Sequence, residues 1–250
     1  MSIKIIVENT SFNSDGHVLL GRIYRPDAPG KHPAVALCHG FPGDERNTDL
    51  AEEMAFNGTA FLIFYYRGAW GSEGEYSFRW LEVSARDALR HLKGFPYVDP
   101  DRVGMIGYSL GTLPAAVTLG EGGVKAGVFM SPFADYGMLA PDEVIDYVAS
   151  VNFESGKGKL NAPGVESYRD DIVWVREERN TLALIKEVDV PVLFVVGSAD
   201  KLLPPEHSEA LYEAANEPKK RVVIEGANHL YSDHRIPLMQ TVMAWFREHL

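Results

Sequence analysis

The sequence predicts an α/β fold, with a mostly parallel central sheet covered by helices on both faces. From residue 33 onward, short apolar runs alternate with amphipathic stretches of helical period, which is the pattern of strand–helix–strand units. The apolar runs are unbroken rather than alternating, as in parallel strands that are buried on both faces. A chain of 250 residues fits one large domain of this kind.

Local signals place the individual elements. Two N-terminal strands, 3–8 and 17–24, flank a polar turn at 13–16 and predict an antiparallel start to the sheet. The other predicted strands are 33–38, 59–66, 103–106, 124–130, 191–196 and 219–225. The helices predicted from apolar periodicity and glycine stops are 49–57, 80–93, 110–119, 205–216 and 235–248.

The strand–helix alternation stops between residues 132 and 184. This stretch is rich in acidic residues, contains a Gly/Lys loop at 155–159 and has helical patterns at its two ends. About 50 residues with few aliphatic side chains would make a poor core of their own. We therefore expect residues 1–131 and 185–250 to form the core, with 132–184 as a small inserted cap folded over the edge of the sheet.

The composition of the chain excludes several classes of partner and cofactor. The net charge of −11 argues against nucleic acid or an anionic membrane as a partner, because both require a basic face. Cys38 is the one cysteine, which excludes an intramolecular disulfide and a cysteine-based zinc cluster and favours a cytoplasmic protein. The N-terminal residues lack a signal-peptide pattern, and no apolar run approaches the ~18 residues of a membrane helix. We expect no metal and no organic cofactor; a homodimer is left open.

Residues 107–111 read Gly-Tyr-Ser-Leu-Gly and lie between a predicted strand and a predicted helix. A serine in such a sharp turn projects its hydroxyl from the carboxyl edge of the sheet, beside a helix N-terminus, while the glycines avoid collisions with neighbouring backbone. The alternative is an ordinary helix-capping serine between turn glycines. The strand–turn–helix context favours Ser109 as a nucleophile.

A serine nucleophile needs a histidine base and a carboxylate that orients this base. Asp200 and His229 each follow a predicted strand, in the chain order that this motif requires, so they meet Ser109 at the same sheet edge. Other candidates are interpreted as solvated, capping or turn side chains, with His234 as a weaker second candidate for the base: His207, His234, Asp233 and Asp99.

The loop after strand 33–38 begins His-Gly-Phe, at the place where this chemistry puts an oxyanion donor. We assign the two oxyanion donors to the backbone N–H groups of Phe41 and Leu110. His39 is interpreted as a structural residue that fixes the loop through hydrogen bonds. Cys38 is interpreted as a small core residue rather than a nucleophile.

These motifs resemble the α/β-hydrolase superfamily over nearly the whole chain. Its motifs appear in the family's order: His39-Gly40-Phe41, Arg67-Gly68 with Gly71 and Gly74, residues 107–111, Asp200 and His229. Within the superfamily, the chain is most similar to compact prokaryotic esterases of the cinnamoyl/feruloyl type, and related serine aminopeptidases share the motifs. Thr112 and Tyr66 depart from common family residues, which weakens assignment to one subfamily.

The resemblance implies a serine carboxylic-ester hydrolase that works through an acyl-enzyme on a small-molecule ester, with the inserted cap shaping the pocket. Candidate substrate contacts are Tyr108, Asp135 and Tyr136, which lie beside the serine or just after a strand end. A peptidase or amidase and a thioesterase would use the same three residues. A binding module without activity is the alternative from a different class, and the intact set of site residues disfavours it.

Overall fold

The structure is a computed structural model that describes residues 4–250. Eight strands form one sheet in the order β1-β2-β4-β3-β5-β6-β7-β8. In chain order they are β1 (Ile5–Ser14), β2 (His17–Pro26), β3 (His32–Cys38), β4 (Ala60–Phe64), β5 (Val98–Tyr108), β6 (Ala126–Met130), β7 (Val192–Gly197) and β8 (Lys219–Ile224). The β1–β2 and β2–β4 pairs are antiparallel and the others are parallel, which confirms the predicted fold class.

Nine α-helices lie within the described residues. They are α1 (Thr48–Phe56), α2 (Leu81–Lys93), α3 (Thr112–Gly120), α4 (Tyr136–Leu139), α5 (Ile145–Gly156), α6 (Val165–Glu178), α7 (Thr181–Leu184), α8 (Pro205–Ala214) and α9 (Arg235–His249). None of these helices is long and apolar enough to cross a membrane.

Helices cover both faces of the sheet, and this explains the unbroken apolar runs. In β3, Ala34 and Ala36 belong to the cluster packed under α2 and α3, whereas Val35 and Leu37 belong to the cluster under α1 and α9. Successive strand residues point to opposite faces. Since both faces are buried, every position must be apolar.

The N-terminal hairpin is tighter than predicted. β1 continues to Ser14, which pairs with His17, so the turn consists of Asp15 and Gly16 alone. Both turn residues have positive φ, 47° and 81°, as a two-residue hairpin turn requires. The predicted start of the first strand at residue 3 lies outside the described residues.

The stretch between β6 and β7 contains α4 to α7. The loop after α5 is joined to the loop after β4 by backbone hydrogen bonds: Trp70 N–H donates to Lys159 O (2.7 Å), and Asn161 N–H donates to Gly68 O (2.7 Å). On α6, the buried carboxylate of Asp171 accepts hydrogen bonds from Ser77 Oγ (2.6 Å) and from the Phe78 N–H (2.8 Å). These bonds fix α6 and the loop after α5 on the rest of the chain.

Candidate active site

Ser109 lies on a strained turn at the carboxyl end of β5. It has φ of 53°, a left-handed conformation that a serine adopts at a cost, and it opens a short 3₁₀ turn (Ser109–Gly111) that leads into α3. A Cβ on Gly107 would lie 2.8 Å from the Gly111 carbonyl oxygen, and one on Gly111 would lie 2.0 Å from Cys38 O. The two glycines are therefore required by close backbone approach, as the sequence predicts.

The structure brings Ser109, His229 and Asp200 together at the carboxyl edge of the sheet. His229 Nε2 lies 3.1 Å from Ser109 Oγ, and His229 Nδ1 lies 2.7 Å from Asp200 Oδ2. Because a carboxylate can only accept, Nδ1 carries the hydrogen and Nε2 is free to accept from the serine hydroxyl. This tautomer leaves the imidazole oriented to take a proton from Ser109.

Asp200 is held ionised although its side chain is only 2% exposed. Its second oxygen, Oδ1, accepts the backbone N–H groups of Leu202 and Leu203, both at 2.9 Å. Burial alone would raise the pKa of this carboxyl, but the hydrogen bond and charge of His229 and the two N–H groups bring the pKa below its usual value. A carboxylate is thus fixed behind the imidazole.

Two hydroxyl groups hold the backbone of His229. Ser131 Oγ donates to the His229 carbonyl oxygen at 2.9 Å, and Tyr108 Oη donates to the same oxygen at 3.1 Å. Tyr231 ties this loop to the sheet, since its hydroxyl donates to Val195 O (2.7 Å) and accepts the Ser131 N–H (2.9 Å). Sequence analysis missed the contribution of Ser131 and Tyr231. Both have positive φ angles, 42° and 54°, which cannot be recognised from the residue types serine and tyrosine.

The loop after β3 packs directly against Ser109. A Cβ on Gly40 would lie 2.9 Å from Ser109 Cβ, so only glycine allows this approach. Tyr66 Oη donates to His39 O at 3.1 Å, which gives one of the two departures from the family pattern a role in fixing the loop. The N–H groups of Phe41 and Leu110 take part in none of the hydrogen bonds that the described residues form outside helices and strands. Phe41 lies outside any helix or strand, so its N–H is available to a ligand.

Thr112, the other departure, also has a defined place. Its hydroxyl donates to Ser109 O at 2.7 Å and accepts the Phe133 N–H at 3.1 Å. One side chain thereby connects the serine turn to the chain segment that follows β6. Neither departure disturbs the contacts between Ser109, His229 and Asp200.

Cys38 and His39 are buried structural residues, as predicted. Burial raises the pKa of the Cys38 thiol to about 12, so the thiolate needed for nucleophilic attack is not formed near neutral pH. Burial lowers the pKa of His39 to about 4, and the neutral ring donates from Nδ1 to Gly40 O at 2.7 Å. His39 therefore fixes the loop that carries Phe41.

The interpretation of His207 as a solvated or capping residue is wrong. The side chain is buried, and its Nδ1 accepts the Ala134 N–H at 3.2 Å. Burial also lowers its pKa, which favours the neutral ring that this hydrogen bond requires. The apolar residues around it come from the segment after β6, whose position the sequence pattern does not reveal.

Two of the other rival residues, Asp99 and His234, have defined surroundings away from Ser109. Asp99 accepts from the Asp101 N–H at 3.1 Å and from Arg102 Nε at 2.8 Å, which is a turn arrangement. His234 lies at the start of α9, and its Nε2 is next to Gly226 rather than Ser109. Within residues 4–250, no group of three or more His, Cys, Asp or Glu side chains is arranged to hold a metal ion.

The predicted substrate contacts differ in how accessible they are. Tyr136 is 4% exposed and stacks on Phe78, with ring centroids 5.8 Å apart. Tyr108 is equally buried, and its hydroxyl is used by His229 O. Asp135 is half-buried, and its Oδ1 is buried without a hydrogen-bond partner among the described residues. An unpaired carboxylate oxygen at a strand end is the kind of group that a ligand donor satisfies.

Aromatic side chains surround Phe41 in the loop after β3. Phe41 packs edge-on against Phe78 (6.2 Å between centroids) and against Tyr168 of α6 (5.7 Å), and it also contacts Tyr76. Tyr168 joins the stretch between β6 and β7 to this group. The immediate surroundings of Phe41 are therefore apolar and aromatic.

Comparison with known proteins identifies the family. The model of the prolyl oligopeptidase family matches residues 57–250. The chain belongs to this family. An uncharacterized protein of Mycobacterium tuberculosis is 32% identical over 216 residues, which cover 86% of this chain and 69% of the relative.

Solved structures show the same fold. The α/β hydrolase GrgF from Penicillium sp. sh18 superposes with a TM-score of 0.79 at 19% identity, over 98% of this chain and 99% of that one. Ferulic-acid-bound Est1E from Butyrivibrio proteoclasticus has a TM-score of 0.74 at 20% identity, over 96% and 98%. The resemblance to the α/β-hydrolase superfamily is confirmed. Membership of the prolyl oligopeptidase family and this fold together identify the chain as a hydrolase.

Proposed function

We propose that the protein is a serine hydrolase that cleaves carboxylic esters through an acyl-enzyme. The observation that carries this proposal is the hydrogen-bonded chain from Ser109 Oγ through His229 to Asp200, with distances of 3.1 and 2.7 Å. These are the nucleophile–base and base–carboxylate contacts that serine catalysis requires. For the remaining element, the oxyanion donors, we propose the backbone N–H groups of Phe41 and Leu110.

In the first half-reaction, Ser109 Oγ attacks the ester carbonyl carbon while its proton passes to His229 Nε2. The carbonyl oxygen becomes an oxyanion, which accepts hydrogen bonds from the N–H groups of Phe41 and Leu110. The carbonyl re-forms as the C–O bond to the alcohol breaks, and His229 gives its proton to the leaving oxygen. Asp200 stabilises the imidazolium during both transfers.

Water completes the cycle. It attacks the acyl carbon of the Ser109 ester, and His229 Nε2 takes its proton. When the second tetrahedral intermediate collapses, the proton returns to Ser109 Oγ and the carboxylic acid leaves. No step uses a metal or an organic cofactor.

We also propose that residues 132–184 act as a cap over this site, on a core of residues 1–131 and 185–250. Support comes from Tyr168, which packs on Phe41, and from the buried bonds of Asp171 to the segment before α2. The aromatic environment of Phe41 favours small to medium acyl groups, including aromatic ones. Ferulic acid in the structurally similar Est1E is in keeping with this class.

Asp135 is proposed as a substrate contact, because its buried Oδ1 has no partner in the described part of the chain. For Tyr108 and Tyr136 we propose supporting roles in place of the substrate contact expected from sequence. Tyr108 holds His229, and Tyr136 supports Phe78 in the aromatic group. A cytoplasmic location, expected from the single cysteine, stays a prediction.

A peptidase is the second candidate, because the family that the chain belongs to is named for an oligopeptidase. The same triad cleaves amides when the site also binds the peptide and protonates an amine leaving group. Matched substrates separate the two activities: p-nitrophenyl esters and p-nitroanilides that carry the same acyl groups, from acetyl to cinnamoyl. We expect kcat/KM to favour the esters and to peak at short or aromatic acyl groups. Faster hydrolysis of aminoacyl anilides would assign the protein to the peptidases.

A further inference from the structure

A cavity lies on the face of the sheet that carries α1, at the side of strands β1, β2 and β4. It has a volume of about 330 Å³. Its floor is set by strand register, because Asn9 pairs with Arg22 and Arg22 pairs with Ile63, which places the three residues side by side. Tyr24, Tyr65 and Trp70 supply aromatic walls, and Arg46 and Thr48 line the rim near α1.

The lining contains two arginines and no acidic residue. This is unusual in a chain with 35 acidic and 24 basic residues, in which most arginines are paired. Among the described residues, Arg22, Arg46 and Arg247 are the only arginines without a carboxylate within 4.0 Å. Two of these three meet at one cavity, which concentrates positive charge on an otherwise acidic protein.

The Arg46 guanidinium is held in place by aromatic rings. Its central carbon lies 4.4 Å from the centroid of the Trp70 ring and 5.6 Å from that of Tyr65. Trp70 is itself fixed, since its Nε1–H donates to Pro42 O at 2.9 Å. Stacking occupies the face of a guanidinium and leaves the N–H groups along its edge able to bind an anion.

Arg22 is held by the neighbouring strand β1. Its Nε donates to Asn9 Oδ1 at 3.1 Å, which fixes the side chain and leaves the terminal N–H groups without a carboxylate partner. A guanidinium presents paired donors that match the two oxygens of a carboxylate. Two such groups beside aromatic walls therefore suit a ligand with one anionic group and a flat apolar body.

We propose that this cavity binds an aromatic carboxylate, with its carboxylate held between Arg22 and Arg46 and its ring against Tyr24, Tyr65 and Trp70. The cavity volume accommodates a single substituted ring. Inorganic phosphate would use the arginines but leave the aromatic walls in contact with water, so the aromatic acid is the better match. The proposal is independent of the reaction at Ser109.

Isothermal titration of the full chain with benzoate tests the proposal. We expect one saturable site per chain, with a Kd on the order of 0.1–1 mM for so small a ligand. Arg46→Gln and Arg22→Gln should each weaken benzoate binding at least about tenfold. Arg247→Gln, which removes the third unpaired arginine on α9, is the matched control and should bind benzoate like the wild type.

Two further ligands define the chemistry. Benzamide, a neutral molecule of nearly the same shape, should bind at least about tenfold more weakly than benzoate, and inorganic phosphate should also bind more weakly. All substituted arginines are exposed, so the glutamine variants are expected to fold. Benzoate affinity that is unchanged in both Arg22→Gln and Arg46→Gln would place the ligand elsewhere and overturn the proposal. Absence of saturable benzoate binding, or equal affinity for phosphate, would overturn it too.

Discussion

Two buried aspartates, Asp200 beside His229 and Asp171 on α6, show that similar burial can accompany pKa shifts in opposite directions. Their side chains are 2% and 4% exposed. Asp200 accepts from His229 and from two backbone N–H groups, and its pKa is lowered despite burial. Asp171 accepts from Ser77 and from the Phe78 N–H, and burial raises its pKa to about 6.

The two pKa values differ because the carboxylates have different partners, since both side chains are almost equally buried. The Asp200 carboxylate faces a ring that becomes positively charged in the proposed mechanism, whereas the cation nearest to Asp171 is Arg79, which is half exposed and 3.9 Å away. The Asp200 carboxylate is placed where chemistry needs a negative charge. The Asp171 carboxylate joins α6 to the segment before α2, and its raised pKa brings it close to becoming neutral. Substitutions in the two regions should therefore have different effects.

The largest expected effect is on catalysis at Ser109. Ser109→Ala and His229→Ala should each lower kcat for ester hydrolysis by roughly 10³–10⁶, because nucleophile and base act as a unit. Ser77→Ala is the matched serine control: it removes a hydrogen bond to Asp171 and should lower stability but keep most of kcat. Steady-state rates on p-nitrophenyl esters measure all three variants. Retention of most activity in Ser109→Ala would contradict the mechanism.

The next effect separates the two aspartates directly. Asp200→Asn should lower kcat by about 10⁴, since the amide no longer fixes the required His229 tautomer. Asp171→Asn makes the same chemical change in the other region and should leave kcat within about tenfold of wild type. Equal losses in the two variants, measured at pH 7, would remove the distinction between the two carboxylates.

A smaller effect is expected on the pH dependence of the unfolding free energy, and the raised pKa of Asp171 determines its sign. Between the ordinary pKa of 3.8 and about 6, the folded state keeps a proton on Asp171 that the unfolded state has lost. The folded state therefore binds more protons in this window, and the contribution of Asp171 to stability falls as pH rises.

Relative to Asp171→Asn, the wild type should lose at most about 3 kcal/mol of unfolding free energy between pH 4 and pH 7. Denaturant unfolding of both proteins at several pH values measures the difference. A difference that is flat, or that favours the wild type more strongly at high pH, would show that folding does not raise the pKa of Asp171.

The smallest effect concerns the hydroxyl groups behind His229. Tyr108→Phe removes one of the two donors to the His229 carbonyl oxygen and leaves Ser131 in place. One neutral hydrogen bond contributes about 1 kcal/mol, so kcat should fall by a few-fold, with KM little changed. A loss as large as that of Asp200→Asn would assign Tyr108 a direct part in the chemistry.

Much of the sheet and the serine turn could be predicted from sequence, because backbone constraints there restrict which residue types are possible. Gly107 and Gly111 are needed where carbonyl oxygens approach within 3 Å of a would-be Cβ, and such positions tolerate no other residue. Asp200 follows β7 and His229 follows β8, and the parallel pairing of these strands with the sheet brings both residues to the Ser109 edge. The order of the strands and site residues along the chain is therefore enough to predict that these side chains meet.

Other features depend on contacts between segments that are distant in the chain. Asp171 is one acid among many in its stretch, and only packing of α6 against Ser77 distinguishes it. His207 sits on a helix with ordinary polar neighbours, and its burial depends on the path of Ala134. The arrangement around Arg46 likewise needs Trp70, Tyr65 and β2 to meet, which no local pattern specifies.

The central claim is that Ser109 becomes acylated during turnover. Rapid quenching of the reaction with p-nitrophenyl acetate, followed by peptide mass spectrometry, measures this directly. We expect an acetyl group on the peptide that contains Ser109, formed with the first release of p-nitrophenol and absent in Ser109→Ala. Ester hydrolysis that proceeds at the wild-type rate in Ser109→Ala, with no acetylated Ser109 peptide in the wild type, would contradict it.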